Sequence, residues 1–346
     1  MLHSSLETGD VAPQRPSVST DRTIPQGTVR LLPPAAFRSR IFQAEEDAAI
    51  WTRAWVCAGF AAEIPNAGDV LPFTIGTHGI HIERLADGSL VGRFNKAQHG
   101  GCRAVPLQCQ TGAKTKCSFT ACGYSRDRRP IAADDVNREA SLDQYLGLRP
   151  ERLLTVPVKT WGPLLLVQLD PEAKTGFDWP SPEVVLKNAS FAENGAMATR
   201  WLEHDANWKH LATCLADGVV ETMGGSHAVR EGGSVLLYPN VVILADHTVT
   251  AVVILQPTAL GRTLSRIRLF AREASALCDA SACEAILATI ATRAAAAEAR
   301  QRDAIDETAG DPMRAWFEAK VSAATDALHD EVQTATLYQT QDKGGW

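Results

Sequence analysis

The chain has 346 residues, 45% of them apolar, and a formal charge of −6 from 34 Lys and Arg against 40 Asp and Glu. At about 150 residues per domain this is room for two domains with proper cores, so a wholly disordered chain is excluded. The net charge argues against a broad nucleic-acid surface, because the basic run Arg126, Asp127, Arg128, Arg129 is only a local patch.

Residues 1–34 are rich in Ser, Thr, Pro and charge and are expected to form a mobile tail ending at Pro33-Pro34. No apolar signal-peptide core precedes Arg30, so a cytoplasmic protein is expected. The longest apolar stretch, Val235 to Val253, is broken by Pro239, Asn240 and Asp246, so no membrane span is expected.

Residues 35–61 carry Phe37, Ile41, Phe42, Ile50 and Trp55 at helical spacing, which predicts an amphipathic entry helix packed on the C-terminal domain. Over 62–170 the texture changes to short alternating runs, DVLPFTIG, GIHIERL and SLVGRFN, between Gly, Asn and Asp turns. That pattern predicts a small antiparallel β domain, closed by the hairpin VPVKTWGPLLLVQLDP. Residues 171–200 look loop-like. A helix is predicted from Asp205 to Val220, then strands at GSVLLYPN, VVILADH, TAVVILQPT and SRIRLFAR. The last third, with its Ala-rich run near residue 295, is helical. The fold class is therefore α+β, with a second domain over 171–346.

Chemistry-bearing residues concentrate in the β domain. Cys102, Cys109, Cys117 and Cys122 fall within 21 residues, and His99 and Cys102 form H-x2-C while Cys117 and Cys122 form C-x4-C. Two close pairs on two loops are how a β domain builds a four-ligand zinc or iron–sulfur site, since thiolate and imidazole suit both metals. Buried, metal-free cysteines are the plain alternative, because free cysteine packs as a small hydrophobe. A reactive thiol, its pKa depressed by the basic run after Cys122, is a third.

From residue 35 to 346 the chain resembles the α subunit of Rieske-type non-haem iron oxygenases, the ring-hydroxylating and demethylating family. The resemblance is carried by WTRAWVCAGF followed by EIPNAGDV, by NKAQHGG and CSFTACGYSRD, by NWK opening a helix, and by YPNVVI opening the sheet. Asp330, Glu331 and Gln339 approach the family's E-D-x7-Q end motif. The resemblance implies a Rieske-like β domain and a helix-grip catalytic-type domain, assembled as a head-to-tail trimer or with an active α subunit.

It also implies ligands, and there the chain departs. The family holds its [2Fe–2S] centre with C-x-H and C-x2-H. His99 and Cys117 match two of these positions, while Ala97 and Thr120 stand at the other two. Neither side chain replaces a thiolate or an imidazole, so ordinary Rieske ligation is not available. A shifted set of His99, Cys102, Cys109, Cys117 and Cys122 is left to hold zinc or an atypical cluster. For the family's 2-His-1-carboxylate iron, Asp217 takes the acidic position that bridges electron transfer between subunits. Val220 takes the first His, the second falls near Gly225 beside His227, and Glu331 or Asp330 takes the carboxylate. A site rebuilt from His227, Glu221 and Asp330 or Glu331 is a poor helical match. His204 and His210 are expected at the surface or at caps, and His247 in a turn. With both centres altered, the expected function is an auxiliary subunit. An oxygenase with unorthodox ligands and a metal-free binder of a small apolar molecule are the alternatives.

Overall fold

The computed structural model describes residues 32–76, 78–94, 132–133, 155–170, 176–185, 196–216, 220–223, 225–230, 234–272, 280–303 and 311–341. A 3-10 turn at Pro34–Phe37 leads into helix α1 (Arg40–Glu46), which continues as a π-type turn to Trp51. Ser39 opens α1 by accepting the amide protons of Ile41 and Phe42 at 3.2 and 3.4 Å, satisfying donors that a helix start leaves bare. The entry helix is shorter than expected. Val56–Phe60 is a fully buried strand, β1, because a short run of apolar residues fits a buried strand as well as a helix.

Strands β2 (Val70–Ile75), β3 (His78–Arg84), β4 (Leu90–Phe94) and β5 (Thr155–Val156) form one antiparallel sheet in that order. The first three coincide with the alternating runs in the sequence. The hairpin β6 (Val158–Trp161) and β7 (Leu164–Val167) turns at Gly162, whose φ of 52° suits glycine. It does not close that sheet. It pairs with β1 in a separate three-stranded sheet, β1-β7-β6.

After the short helix α2 (Pro182–Val185), seven strands make the main antiparallel sheet. They are β8 (Ala196–His204), β9 (Val220–Met223), β10 (His227–Arg230), β11 (Val235–Leu237), β12 (Val241–Ala245), β13 (Val249–Ala259) and β14 (Arg262–Ala271). Their order is β8-β14-β13-β12-β11-β10-β9. Helices α3 (Trp208–Leu215), α4 (Ala280–Asp303) and α5 (Pro312–Gln341) complete the described elements. Two expectations are corrected. The loop-like stretch before residue 200 holds the start of edge strand β8. The helix expected to reach Val220 stops at Leu215, and Val220 is already in β9; Gly218 and the β-branched Val219-Val220 disfavour helix.

The central strands β11, β12 and β13 are buried on both faces over most of their length, which explains their near-continuous apolar sequence. Val242 and Leu244 of β12, with Ala251, Val253 and Leu255 of β13, join the cluster that contains the helix residues Trp208, Leu211, Ile290, Ala294 and Phe317. Their alternates Val241, Ile243, Val252 and Ile254 join Cys57, Phe60, Trp161 and Leu164 from the small sheet. The period of two thus divides one strand between two cores.

Polar residues fix how these layers meet. Asn240, fully buried, accepts the Cys57 amide proton at 3.0 Å and donates to Cys57 O at 2.9 Å, pairing the main sheet to β1. Arg266 lies between the rings of Phe73 and Trp201, 4.7 and 4.8 Å from their centres, and donates to Gln256 Oε1 at 3.1 Å. Gln256 in turn donates to Thr74 O of β2 at 3.2 Å. Among the described residues no helix is long and apolar enough to cross a membrane.

The histidines flanking the start of α3 are not at the surface. His204 is buried, with Nδ1 3.8 Å from Glu298, and burial lowers its pKa. His210 stacks on Phe37 with ring centres 4.1 Å apart, and its pKa is lowered to about 3 by burial, aided by the charges of Lys209 and Arg314. His247 is exposed between β12 and β13.

Two measurements test these contacts. Lys209 and Glu46 form a buried ion pair, so Lys209→Met strands a buried carboxylate and is expected to cost about 3–5 kcal/mol in urea denaturation. The double variant with Glu46→Gln is expected to lie closer to the parent, since no unpaired charge is left. His210 stays neutral in the folded chain while the unfolded chain takes a proton below its ordinary value of 6.5. Its contribution is therefore complete above that pH and is lost as pH falls from there toward about 3. His210→Phe keeps the ring stack and should flatten the acid limb of stability against pH; an unchanged limb would refute this assignment.

Candidate functional site

The turn into α3 is built by three consecutive residues. Asn207 caps the helix by accepting the Lys209 amide proton at 3.1 Å, and its own amide donates to Leu260 O at 2.8 Å. Trp208 donates its indole proton to Glu46 Oε2 at 3.0 Å. Lys209 donates to Glu46 Oε1 and lies over the rings of Phe37, Phe42 and Trp208. Burial pushes the Glu46 carboxyl up and the Lys209 ammonium down, and their mutual attraction opposes both shifts.

The inner face of α4 is Ile286, Ile290, Ala294 and Ala297, with no metal-ligating side chain among these buried residues. Among the described residues, no three of His, Cys, Asp or Glu gather to hold a metal ion.

Beyond α3 the chain reaches the β9–β10 hairpin, whose end is occupied from outside by residues 176–180. The Trp179 indole donates to Tyr238 O at 2.8 Å, and the Trp161 indole donates to Pro180 O at 2.8 Å. Asp178 accepts the Ser226 hydroxyl proton. Gly225 admits that carboxylate, because a Cβ there would lie 2.2 Å from Asp178 Oδ2. Between this strap, the sheet end and α5 lies a cleft of about 360 Å³, walled by Trp55, Phe177, Trp179 and Tyr238, with Asp178 and Lys320 supplying opposite charges. Trp55 meets Phe177 edge-on with centres 6.1 Å apart, and Phe177 lies tilted against Trp179 at 5.6 Å. Lys159 sits over Trp55 and Phe177, 4.8 and 4.5 Å from their centres.

Tyr238 lines the cleft, its ring packs on Phe317 with centres 5.8 Å apart, and its hydroxyl is buried without a hydrogen-bond partner among the described residues. Burial raises its pKa, and Glu46 adds to the shift. His227, one residue from the cleft, faces Leu237 across the β10–β11 ladder. Its Nδ1 is buried without a partner among the described residues. Burial lowers its pKa against the pull of Asp178, so the imidazole is neutral near pH 7.

Of the residues matched to a cluster, iron or bridging position, only His227 has a described side-chain setting. Asp330 and Glu331 lie on the backbone of α5, and Val220 and Glu221 on that of β9. His99, Cys102, Cys109, Cys117, Cys122 and Asp217 lie outside the described residues. Valine has no donor atom, and among the described residues no three-ligand set is brought together. The cleft residues were not anticipated. The available signal was the pair Phe177 and Trp179 in the loop GFDWPSP, since loops carry binding residues more often than the elements they connect.

No family model matches the chain. Over 162 residues it is 26% identical to the glycine betaine monooxygenase oxygenase subunit of Pseudomonas aeruginosa, covering 46% of this chain and 36% of that protein. It is 26% identical over 162 residues to choline monooxygenase of Spinacia oleracea, covering 46% of this chain and 35% of that one. The α subunit of the N,N-dimethyl phenylurea N-demethylase of Sphingobium is 32% identical over 118 residues, 34% of this chain and 24% of that one. The matched part thus spans about a third or less of the length of these relatives. Among solved structures, the apo form of the quaternary ammonium Rieske monooxygenase CntA aligns with a TM-score of 0.61 at 15% identity, covering 85% of this chain and 95% of that one. Its complex with γ-butyrobetaine gives 0.60. By sequence the chain is a relative of Rieske-type non-haem iron oxygenase α subunits, and it carries their α+β fold.

Proposed function

We propose that the chain acts as a non-catalytic or auxiliary α-type subunit within an oxygenase assembly, as a homo-trimer or beside an active α subunit. Residues 62–170 then make the cluster-type half, residues 171–346 the catalytic-type half, and 35–61 the entry segment. What carries this is the donor set: Ala97 and Thr120 stand at two of four cluster positions, and neither donates to iron. The second centre supports the same view, because Val220 takes a ligand position. Relatives are named as an oxygenase subunit and a subunit alpha, and work in partnership is carried over here from those names.

Two observations favour further readings. The set His99, Cys102, Cys109, Cys117 and Cys122 has the donors for an active oxygenase with unusual ligation, or for zinc. The aromatic cleft favours a small-molecule binder on the oxygenase scaffold.

The test is iron, zinc and acid-labile sulfide in protein purified anaerobically, with an EPR spectrum of the reduced sample. The expected outcome is no labile sulfide and no rhombic signal. About two irons with sulfide per chain would overturn the auxiliary role and establish the shifted ligands. Zinc alone would be a structural site compatible with it.

A further inference from the structure

We propose that the cleft beneath the 176–180 strap binds a small zwitterion with an apolar body, of the aromatic amino-acid kind. The proposal rests on the cleft being a binding site, and it adds what the site takes. Four aromatic residues, Trp55, Phe177, Trp179 and Tyr238, line the cleft and suit a ligand with an apolar body, and about 360 Å³ accommodates one of that size.

The charges then decide. Asp178 brings one carboxylate, held in place by the Ser226 hydroxyl and by the missing Cβ of Gly225. Lys320, from α5, brings one ammonium. A ligand with only a cation would leave Lys320 facing it, and the rings give it little more. Lys159 already sits over Trp55 and Phe177, so a second cation on the same π systems gains less than the first. A ligand with only an anion would meet Asp178. A zwitterion answers both charges and fills the aromatic wall.

The test is titration calorimetry on the full chain with L-tryptophan and L-phenylalanine, against indole, phenethylamine and 3-phenylpropanoate. The zwitterions are expected to bind at least about tenfold more tightly than any of the three. Asp178→Asn and Lys320→Gln are each expected to weaken L-tryptophan by about tenfold, since each removes one charge-assisted bond. Unchanged circular dichroism and melting would show that the variants fold. Phenethylamine should respond to Asp178→Asn alone, and phenylpropanoate to Lys320→Gln alone. If indole binds as tightly as tryptophan and ignores both variants, the zwitterion is overturned while the cleft survives as an apolar site. If no probe saturates and tryptophan fluorescence is unmoved by all of them, the cleft itself is not a binding site. None of these readouts depends on the metal content that tests the auxiliary role.

Discussion

Lys209 and Glu46 meet where neither side chain reaches water, and much of the molecule is arranged around that contact. Glu46 ends α1, and Lys209 stands in the first turn of α3. An ion pair this deep is costly to assemble, since both charges lose hydration, and it holds only when the remaining lone pairs and protons are also used. Here they are. Trp208 gives Glu46 a second proton, and three rings face the ammonium. Glu318 of α5 lies near enough to pull on Lys209, and it also pairs with Arg314 and accepts the Leu32 amide proton at 2.7 Å. The pair therefore sets α1 against α3, and its surroundings tie in α5 and the first described residue.

The sheets meet through a second kind of polar pin. Asn240 imitates a strand neighbour for Cys57, and Arg266 passes through Gln256 to the backbone of β2. Such residues add specificity of placement more than stability, because a hydrogen bond inside protein replaces one to water. Replacing Arg266 by lysine would not be conservative, since only the planar guanidinium can lie flat between Phe73 and Trp201.

How much of this was legible depends on whether local pattern and tertiary context agreed. β2, β3 and β4 were legible because alternation and turn residues pointed the same way, and the start of α3 because Asn207 is a strong cap. β1 was read as the end of the entry helix because the helical spacing from Phe37 to Trp55 runs straight into it, and its neighbour β7 lies more than a hundred residues further on. β8 hid for a different cause: an edge strand with Thr199, Arg200 and Glu203 exposed shows little apolar alternation. Partners across the chain were beyond reach. Nothing near Asn207 foretells Glu46, and nothing in GFDWPSP foretells the sheet end it covers. The histidines misled because polarity suggested exposure, whereas His210 finds an aromatic partner and stays neutral.

These two sets of residues separate what makes the fold from what would make the chemistry. The architecture hangs on Asn207, Trp208, Lys209, Glu46, Asn240 and Arg266, none of which occupies a position assigned to an iron ligand by the resemblance. A ligand position can then change to alanine, threonine or valine without touching the pins, provided the new side chain suits its local backbone. Val220 meets that condition, since it sits in a strand, where a β-branched residue is favoured. The cleft residues form a third set that touches both: Gly225, near the second His position, gives Asp178 its room, and Glu46 acts on the buried Tyr238 hydroxyl. Trp179 and Trp161 anchor the strap through backbone carbonyls, so the aromatic wall persists whether or not any metal is held elsewhere. A scaffold arranged in this way can change its ligand positions and keep its fold, because the pins and the ligand positions are held by different contacts.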